Sequence, residues 1–214
     1  GIDIKIGKTS YDKIPEDTDL VVYTVAIETY EKELFEKLKQ ETKFELRSYP
    51  EMLGVISSDK YTIAVCGTHG KTTTSSIIAH VLKDSGYDCS AFLGGIATNY
   101  DSNVLFGDNN TMVVEADEFD RSFLTLYPDV AIVTSMDADH LDIYGDRSHL
   151  VESFRQFVSQ IKEGGRLIFK KGLDLSGGKT YSANVLADIQ AVNVKVQDGS
   201  FYFDFKNENI VIEN

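Results

Sequence analysis

The stretch Tyr61 to Thr74, YTIAVCGTHGKTTT, runs an apolar strand directly into Gly67 and Gly70, then into Lys71, Thr72 and Thr73, where a helix begins. Strand, glycine loop and helix stand in the order that phosphate binding needs. Glycines let successive backbone N–H groups converge on phosphate oxygens, and the helix amino terminus adds partial positive charge. Lys71 can reach terminal phosphates, and the Thr72 hydroxyl can ligate magnesium. Gly67, Thr68, His69, Gly70, Lys71, Thr72 and Thr73 are therefore the candidate cofactor-binding loop. The Walker pattern is only partly matched, because its first glycine would fall on Val65. The plain alternative is a glycine-rich turn ahead of a helix rich in Thr and Ser.

Outward from this loop, apolar segments that read as strands alternate with helical ones. Strands are expected at Tyr61 to Cys66, Asp88 to Leu93, Met112 to Ala116, Val130 to Met136 and Arg166 to Phe169, with helices at Lys71 to Ser85 and Ser148 to Lys162. This alternation predicts an α/β fold: a mostly parallel sheet with helices on both faces. Beyond Lys179 the pattern changes to short alternating segments, Ser200 to Phe205 and Asn209 to Glu213, separated by Asp198-Gly199 and by Lys206 to Glu208. An antiparallel extension is expected there. Upstream, a strand from Asp19 to Ile27 leads into a helix from Tyr30 to Gln40, a partial Rossmann-like unit, and Glu45 to Ser58 reads as a turn at Tyr49-Pro50, a short helix and a polar exit. A domain boundary is placed near residue 58, dividing the chain into 1–58 and 59–214. The opening Gly1, followed at once by the strand-like Ile2 to Ile6, reads as a chain that begins inside a fold.

Two acidic clusters fall where strands end. Met112 to Val114 opens into Glu115-Ala116-Asp117-Glu118, and Val130 to Val133 leads through Thr134-Ser135-Met136 into Asp137-Ala138-Asp139-His140. Ligands of open parallel sheets bind at the carboxyl ends of strands, so both clusters should share an edge with the glycine loop. Thr72 and Glu115 offer the hard oxygen donors that a divalent cation at a bound nucleotide prefers, and a neutral imidazole such as His140 can complete a second metal site. The plain reading of the acidic residues is a solvated capping loop. His80 and His149 lie in predicted helices and read as packing or surface residues, whereas His69 lies inside the loop and can face either the phosphates or a second substrate.

Composition narrows the partners. A net charge of −13 over 214 residues opposes binding to nucleic-acid backbones and anionic membranes. No apolar run is long enough to span a bilayer, and the amino end lacks a signal peptide's order of basic then apolar residues. Cys66 and Cys89 sit in apolar stretches without CxxC spacing, which favours buried thiols, and a reducing cytoplasm fits this usage.

Taken together, the loop, Phe92-Leu93-Gly94-Gly95 with Asn99, the Glu115 cluster and the Asp137 cluster resemble the Mur ligases, with motif order and spacing matching from about Tyr61 to Phe169. The resemblance implies a central domain that binds ATP and Mg2+. Catalytic roles would fall to Lys71, Glu115 and His140, with Lys71 on the phosphates, Thr72 and Glu115 on a first metal and His140 on a second. His69 and Asn99 would be substrate contacts. Histidine in the loop and the run Asp-Ala-Asp-His-Leu-Asp look most like those members that join L-alanine to UDP-N-acetylmuramate through an acyl phosphate. The runner-up is the branch that attaches a whole tripeptide, and folylpolyglutamate synthases share the loop but usually not its histidine. Residues 1–58 would be the latter part of the nucleotide-sugar domain, with the family's first glycine-rich loop and its C-terminal ligase domain not visible. A nucleotide-dependent switch or non-catalytic binding module is the reading from another class, although no Asn-Lys-x-Asp guanine-reading motif is present.

Overall fold

The computed structural model describes residues 11–137, 147–207 and 210–212. The strand expected at Ile2 to Ile6 lies outside them. The chain divides into two compact units between Val55 and Ile56.

In the first unit, β1 (Leu20–Tyr23) and β2 (Glu45–Ser48) form a two-stranded parallel sheet, with α1 (Ala26–Tyr30) and α2 (Lys32–Gln40) between them in sequence. Leu34 and Leu38 of α2 are buried, and Phe35 packs on Tyr23 with ring centroids 5.1 Å apart. The strand expected over Asp19 to Ile27 stops at Tyr23, and Ala26 and Ile27 belong to α1. A short apolar run looks the same as a strand or as a buried helical turn. The predicted turn at Tyr49-Pro50 is instead the start of α3 (Tyr49–Ser58), which crosses the division between the units. The Ser48 N–H donates to Glu51 Oε2 at 2.7 Å and the Glu51 N–H donates to Ser48 Oγ at 3.4 Å, a reciprocal cap of the helix start. Proline is tolerated in that first turn, whose N–H groups have no partner within the helix.

The second unit is built on one sheet of ten strands, ordered β12-β11-β10-β9-β8-β7-β3-β6-β4-β5. These are β3 (Tyr61–Cys66), β4 (Ser90–Ala97), β5 (Ser102–Leu105), β6 (Thr111–Glu115), β7 (Val130–Val133), β8 (Arg166–Lys170), β9 (Lys179–Ser182), β10 (Ile189–Gln197), β11 (Ser200–Asn207) and β12 (Ile210–Ile212). From β4 to β10 every neighbouring pair is parallel, and β5, β11 and β12 are antiparallel additions at the two edges. The expected antiparallel extension is present in β10 to β12, but β9 joins the parallel part. The β4–β5 hairpin was not expected, because Gly94-Gly95 reads in sequence as a strand end, whereas β4 runs through it with a register shift between Phe92 and Ala97.

β3 is the central strand, and Ala64, Val65 and Cys66 are fully buried. This is why it carries a continuous apolar run instead of an alternating one. Helix α4 (Lys71–Asp84) packs through the small residues Ser75 and Ala79, which let it lie close to Cys89, Ala91, Leu93 and Val113. Helix α5 (Arg147–Ser159) inserts Phe154 and Phe157 around Phe123 of a short 3-10 segment, Phe119–Thr125, with ring centroids 5.4 and 5.0 Å away. Burying each of these rings contributes about 1.5–3 kcal/mol. They fix the 3-10 segment directly after the Glu115 cluster. Among the described residues, no helix is long and apolar enough to cross a membrane.

Candidate active site

Register brings the motifs together. Val65 pairs with Glu115 on one side of β3 and Cys66 pairs with Val133 on the other, so the loop leaving β3 emerges between the carboxyl ends of β6 and β7. The chain leaves β3 for β4 on one side and reaches β7 on the other, which makes this edge the topological switch point where open α/β sheets bind ligands.

The loop turns on two glycines. Gly67 has φ +132°, and a Cβ there would stand 2.3 Å from Thr134 Oγ1 and 2.7 Å from the Ser135 nitrogen. Gly70, at φ +80°, is the left-handed residue immediately before α4. Two residues after β7 hold the loop in shape. Thr134 Oγ1 lies 2.6 Å from the His69 carbonyl and 3.0 Å from that of Cys66, and Ser135 Oγ accepts the His69 N–H at 2.7 Å. Thr68 Oγ1 shares a hydrogen bond with Ser135 Oγ at 2.9 Å and accepts the Asp137 N–H at 3.1 Å. The sequence signalled Thr134 and Ser135 only as a polar exit from an apolar strand.

Lys71 opens α4 and folds back over the loop. Its ammonium donates to the Gly67 carbonyl at 3.0 Å and to both oxygens of Glu118 at 2.9 and 2.8 Å, with Asp117 Oδ1 at 3.8 Å. Beside it, the Thr72 hydroxyl donates to Glu115 Oε1 at 2.9 Å, and the Gly94 N–H donates to Glu115 Oε2 at 2.6 Å. Only glycine fits position 94, because a Cβ there would stand 2.3 Å from Glu115 Oε1. Cys66, at the end of β3, is fully buried, and burial followed by the nearby Glu118 charge pushes its thiol pKa well up. It is an inert packing residue.

Gly67, Thr68, His69, Gly70, Lys71, Thr72 and Glu115 thus meet at one edge, and exposed Thr73 continues α4 from it. The His69 ring is exposed, with Nε2 3.9 Å from Asp137 Oδ2. Asn99 is placed elsewhere: its amide lies 3.4 Å from His80 Nδ1, which also meets the Tyr100 hydroxyl at 3.0 Å. His80 sits roughly 13 Å along α4 from Lys71 at about 1.5 Å per residue. His140 lies outside the described residues. Among the described residues no group of three or more His, Cys, Asp and Glu side chains is gathered to hold a metal. The paired Thr72 hydroxyl and Glu115 carboxylate nevertheless form an all-oxygen donor set suited to a hard divalent cation, which keeps much of its water.

A family model described as the Mur ligase middle domain matches residues 65–212. The chain belongs to the Mur ligase family. It is 46% identical over 199 residues to the UDP-N-acetylmuramate--L-alanine ligase of Christiangramia forsetii, covering 93% of this chain and 43% of that Mur ligase. Among solved structures it is similar to the UDP-N-acetylmuramate-alanine ligase MurC of Thermotoga maritima, with a TM-score of 0.75 at 22% identity over 94% of this chain and 46% of that one. It is also similar to the MurF ligase of Thermotoga maritima in complex with ADP, with a TM-score of 0.66 at 16% identity over 94% of this chain and 55% of that one. The chain therefore spans somewhat less than half the length of its curated Mur ligase relative.

Proposed function

We propose that this chain carries the ATP-binding centre of an enzyme that joins L-alanine to UDP-N-acetylmuramate in peptidoglycan biosynthesis. The observation that carries the reading is the meeting of Lys71 with the Thr72–Glu115 pair at the mouth of one glycine loop, in a chain 46% identical to a ligase of that name. In this reading ATP supplies the phosphoryl group that activates the muramate carboxylate as an acyl phosphate, and Mg2+ neutralises charge on the phosphates. Backbone N–H groups from Gly67 to Thr73 receive the phosphates at the amino end of α4. Lys71 offsets negative charge that builds on the transferring oxygens, and the Thr72 hydroxyl and Glu115 carboxylate hold the first metal. His140 is assigned to a second metal, and His69, exposed at the mouth, is free to face the second substrate. Asn99 is a weaker substrate candidate, since it is held at His80. The site favours magnesium on charge alone: Glu115, Asp117, Glu118 and Asp137 surround the loop, and a polyanionic nucleotide needs additional positive charge beside Lys71.

Residues 1–58 are read as the latter part of a nucleotide-sugar-binding domain, residues 59–214 as the central domain, and the enzyme as a cytoplasmic one acting on small molecules and on neither nucleic acid nor membrane. The deciding experiment is phosphate release with ATP, Mg2+ and UDP-N-acetylmuramate, with L-alanine supplied or withheld. Release that requires both acceptor substrates is expected. Release indifferent to L-alanine would point to another amine, such as the tripeptide of the recycling branch, and nucleotide binding without turnover would point to a binding module.

A further inference from the structure

The partner of Lys71 has no place in the reaction as described. Glu118 is fully buried, with 0% of its side chain exposed, and it presents both carboxylate oxygens to the Lys71 ammonium. The Gly67 carbonyl takes the remaining donor direction, so all three protons of the ammonium are directed at protein acceptors. The two sides of the pair differ in mobility. Glu118 precedes the 3-10 segment whose Phe123 is clamped between Phe154 and Phe157, and its carbonyl accepts the Arg121 N–H at 3.0 Å. Lys71 carries its charge on a flexible four-carbon stem and is 15% exposed toward the loop mouth. If the pair opens, the lysine is the member that moves.

We propose that Glu118 is a positioning residue for Lys71: a fixed, buried counter-ion that holds the ammonium in the mouth of the loop until a nucleotide phosphate competes for it. The inference rests on the reading of this loop as a nucleotide site. A buried carboxylate that binds the lysine in the empty loop lowers ground-state affinity for nucleotide, and it keeps the ammonium oriented for the moment when charge develops on the transferring oxygens. Binding is weakened and turnover favoured by the same contact.

The test compares Glu118→Gln and Glu118→Asp with the unaltered protein in two measurements. The first is the rate at which Lys71 is acylated by an amine-reactive reagent without nucleotide, read by peptide mass spectrometry. The second is Mg–ADP affinity by calorimetry, repeated in a Lys71→Met background. Glu118→Gln should acylate faster at Lys71 and bind Mg–ADP more tightly, on the order of tenfold, while lowering kcat. Glu118→Asp, which keeps the charge, should return both values toward those of the unaltered protein. In the Lys71→Met background the Gln substitution should leave Mg–ADP affinity unchanged. Weaker or unchanged affinity in Glu118→Gln, or an equal change without Lys71, would overturn the proposal. If the unaltered protein binds no Mg–ADP, the nucleotide reading falls, and the acylation rates alone decide whether Glu118 holds Lys71. If Glu118→Gln fails to fold, Glu118→Asp carries both measurements, with a longer reach predicting faster acylation than in the unaltered protein.

Discussion

Ser135→Ala removes one oxygen and tests whether the loop is shaped from outside itself. The lost contacts are the acceptor for the His69 N–H at 2.7 Å and the shared hydrogen bond with Thr68 Oγ1 at 2.9 Å. Each intramolecular hydrogen bond contributes about 1 kcal/mol net, and stranding a buried hydroxyl adds about 1 kcal/mol more. Thr68 is only 7% exposed and cannot turn to water, whereas the exposed His69 can. The expected loss is therefore about 3 kcal/mol. Urea-dependent hydrogen exchange at core amides of β3 and β6 measures the unfolding free energy of the second unit by itself. With a slope of about 2 kcal/mol per molar urea, the midpoint should fall by about 1.5 M. Mg–ADP affinity should fall with it, because the N–H groups that receive the phosphates lose their fixed direction. A midpoint shift below about 0.3 M, with affinity unchanged, would refute the claim that the end of β7 holds the loop.

In Gly94→Ala the new Cβ would occupy the place of the Glu115 carboxylate, 2.3 Å from Oε1, so the side chain must rotate off Thr72. The fold should survive while Mg2+-dependent ADP binding weakens about 10- to 100-fold, the usual effect of losing a group that orients a metal ligand, and a Mg2+ titration at constant ADP would show it. Cys66 and Cys89 are both fully buried, with burial raising each thiol pKa, so neither should react with a thiol reagent until the second unit unfolds. The Glu51 pKa is lowered, first by the hydrogen bond from the Ser48 N–H, so its contribution to α3 is present above the unfolded carboxyl value of about 4.3 and is lost as pH falls through the lowered folded value. Glu51→Gln should accordingly speed exchange of the Ser48 amide at neutral pH and converge with the unaltered protein in acid.

Local chemistry was legible in the sequence wherever one segment carried it whole. β3, the glycine loop and α4 are contiguous, and only an apolar run entering two glycines and a helix satisfies that backbone, so fold class and loop could be read directly. The capping pair Ser48 and Glu51 was equally local and was passed over, because Tyr49-Pro50 between them carries the stronger turn signal. β9 and the β4–β5 hairpin were not legible, since short strands take their partners from distant segments and Gly94-Gly95 looks like an end unless the Glu115 carboxylate is known to need that space.

By itself, then, the sequence determined which residues could bind phosphate and a hard cation, because hydroxyl, carboxylate and ammonium groups have that chemistry wherever they lie. The tertiary structure decided which of them act together. The pairings of Val65 with Glu115 and of Cys66 with Val133 bring the ends of β6 and β7 to the two sides of the loop. That register gives Lys71 to Glu118, Thr72 to Glu115 and His69 to Ser135, and leaves Asn99 with His80. Contacts across 43 to 66 residues of chain depend on sheet order, which many side chains set together through their shared burial and no single motif records.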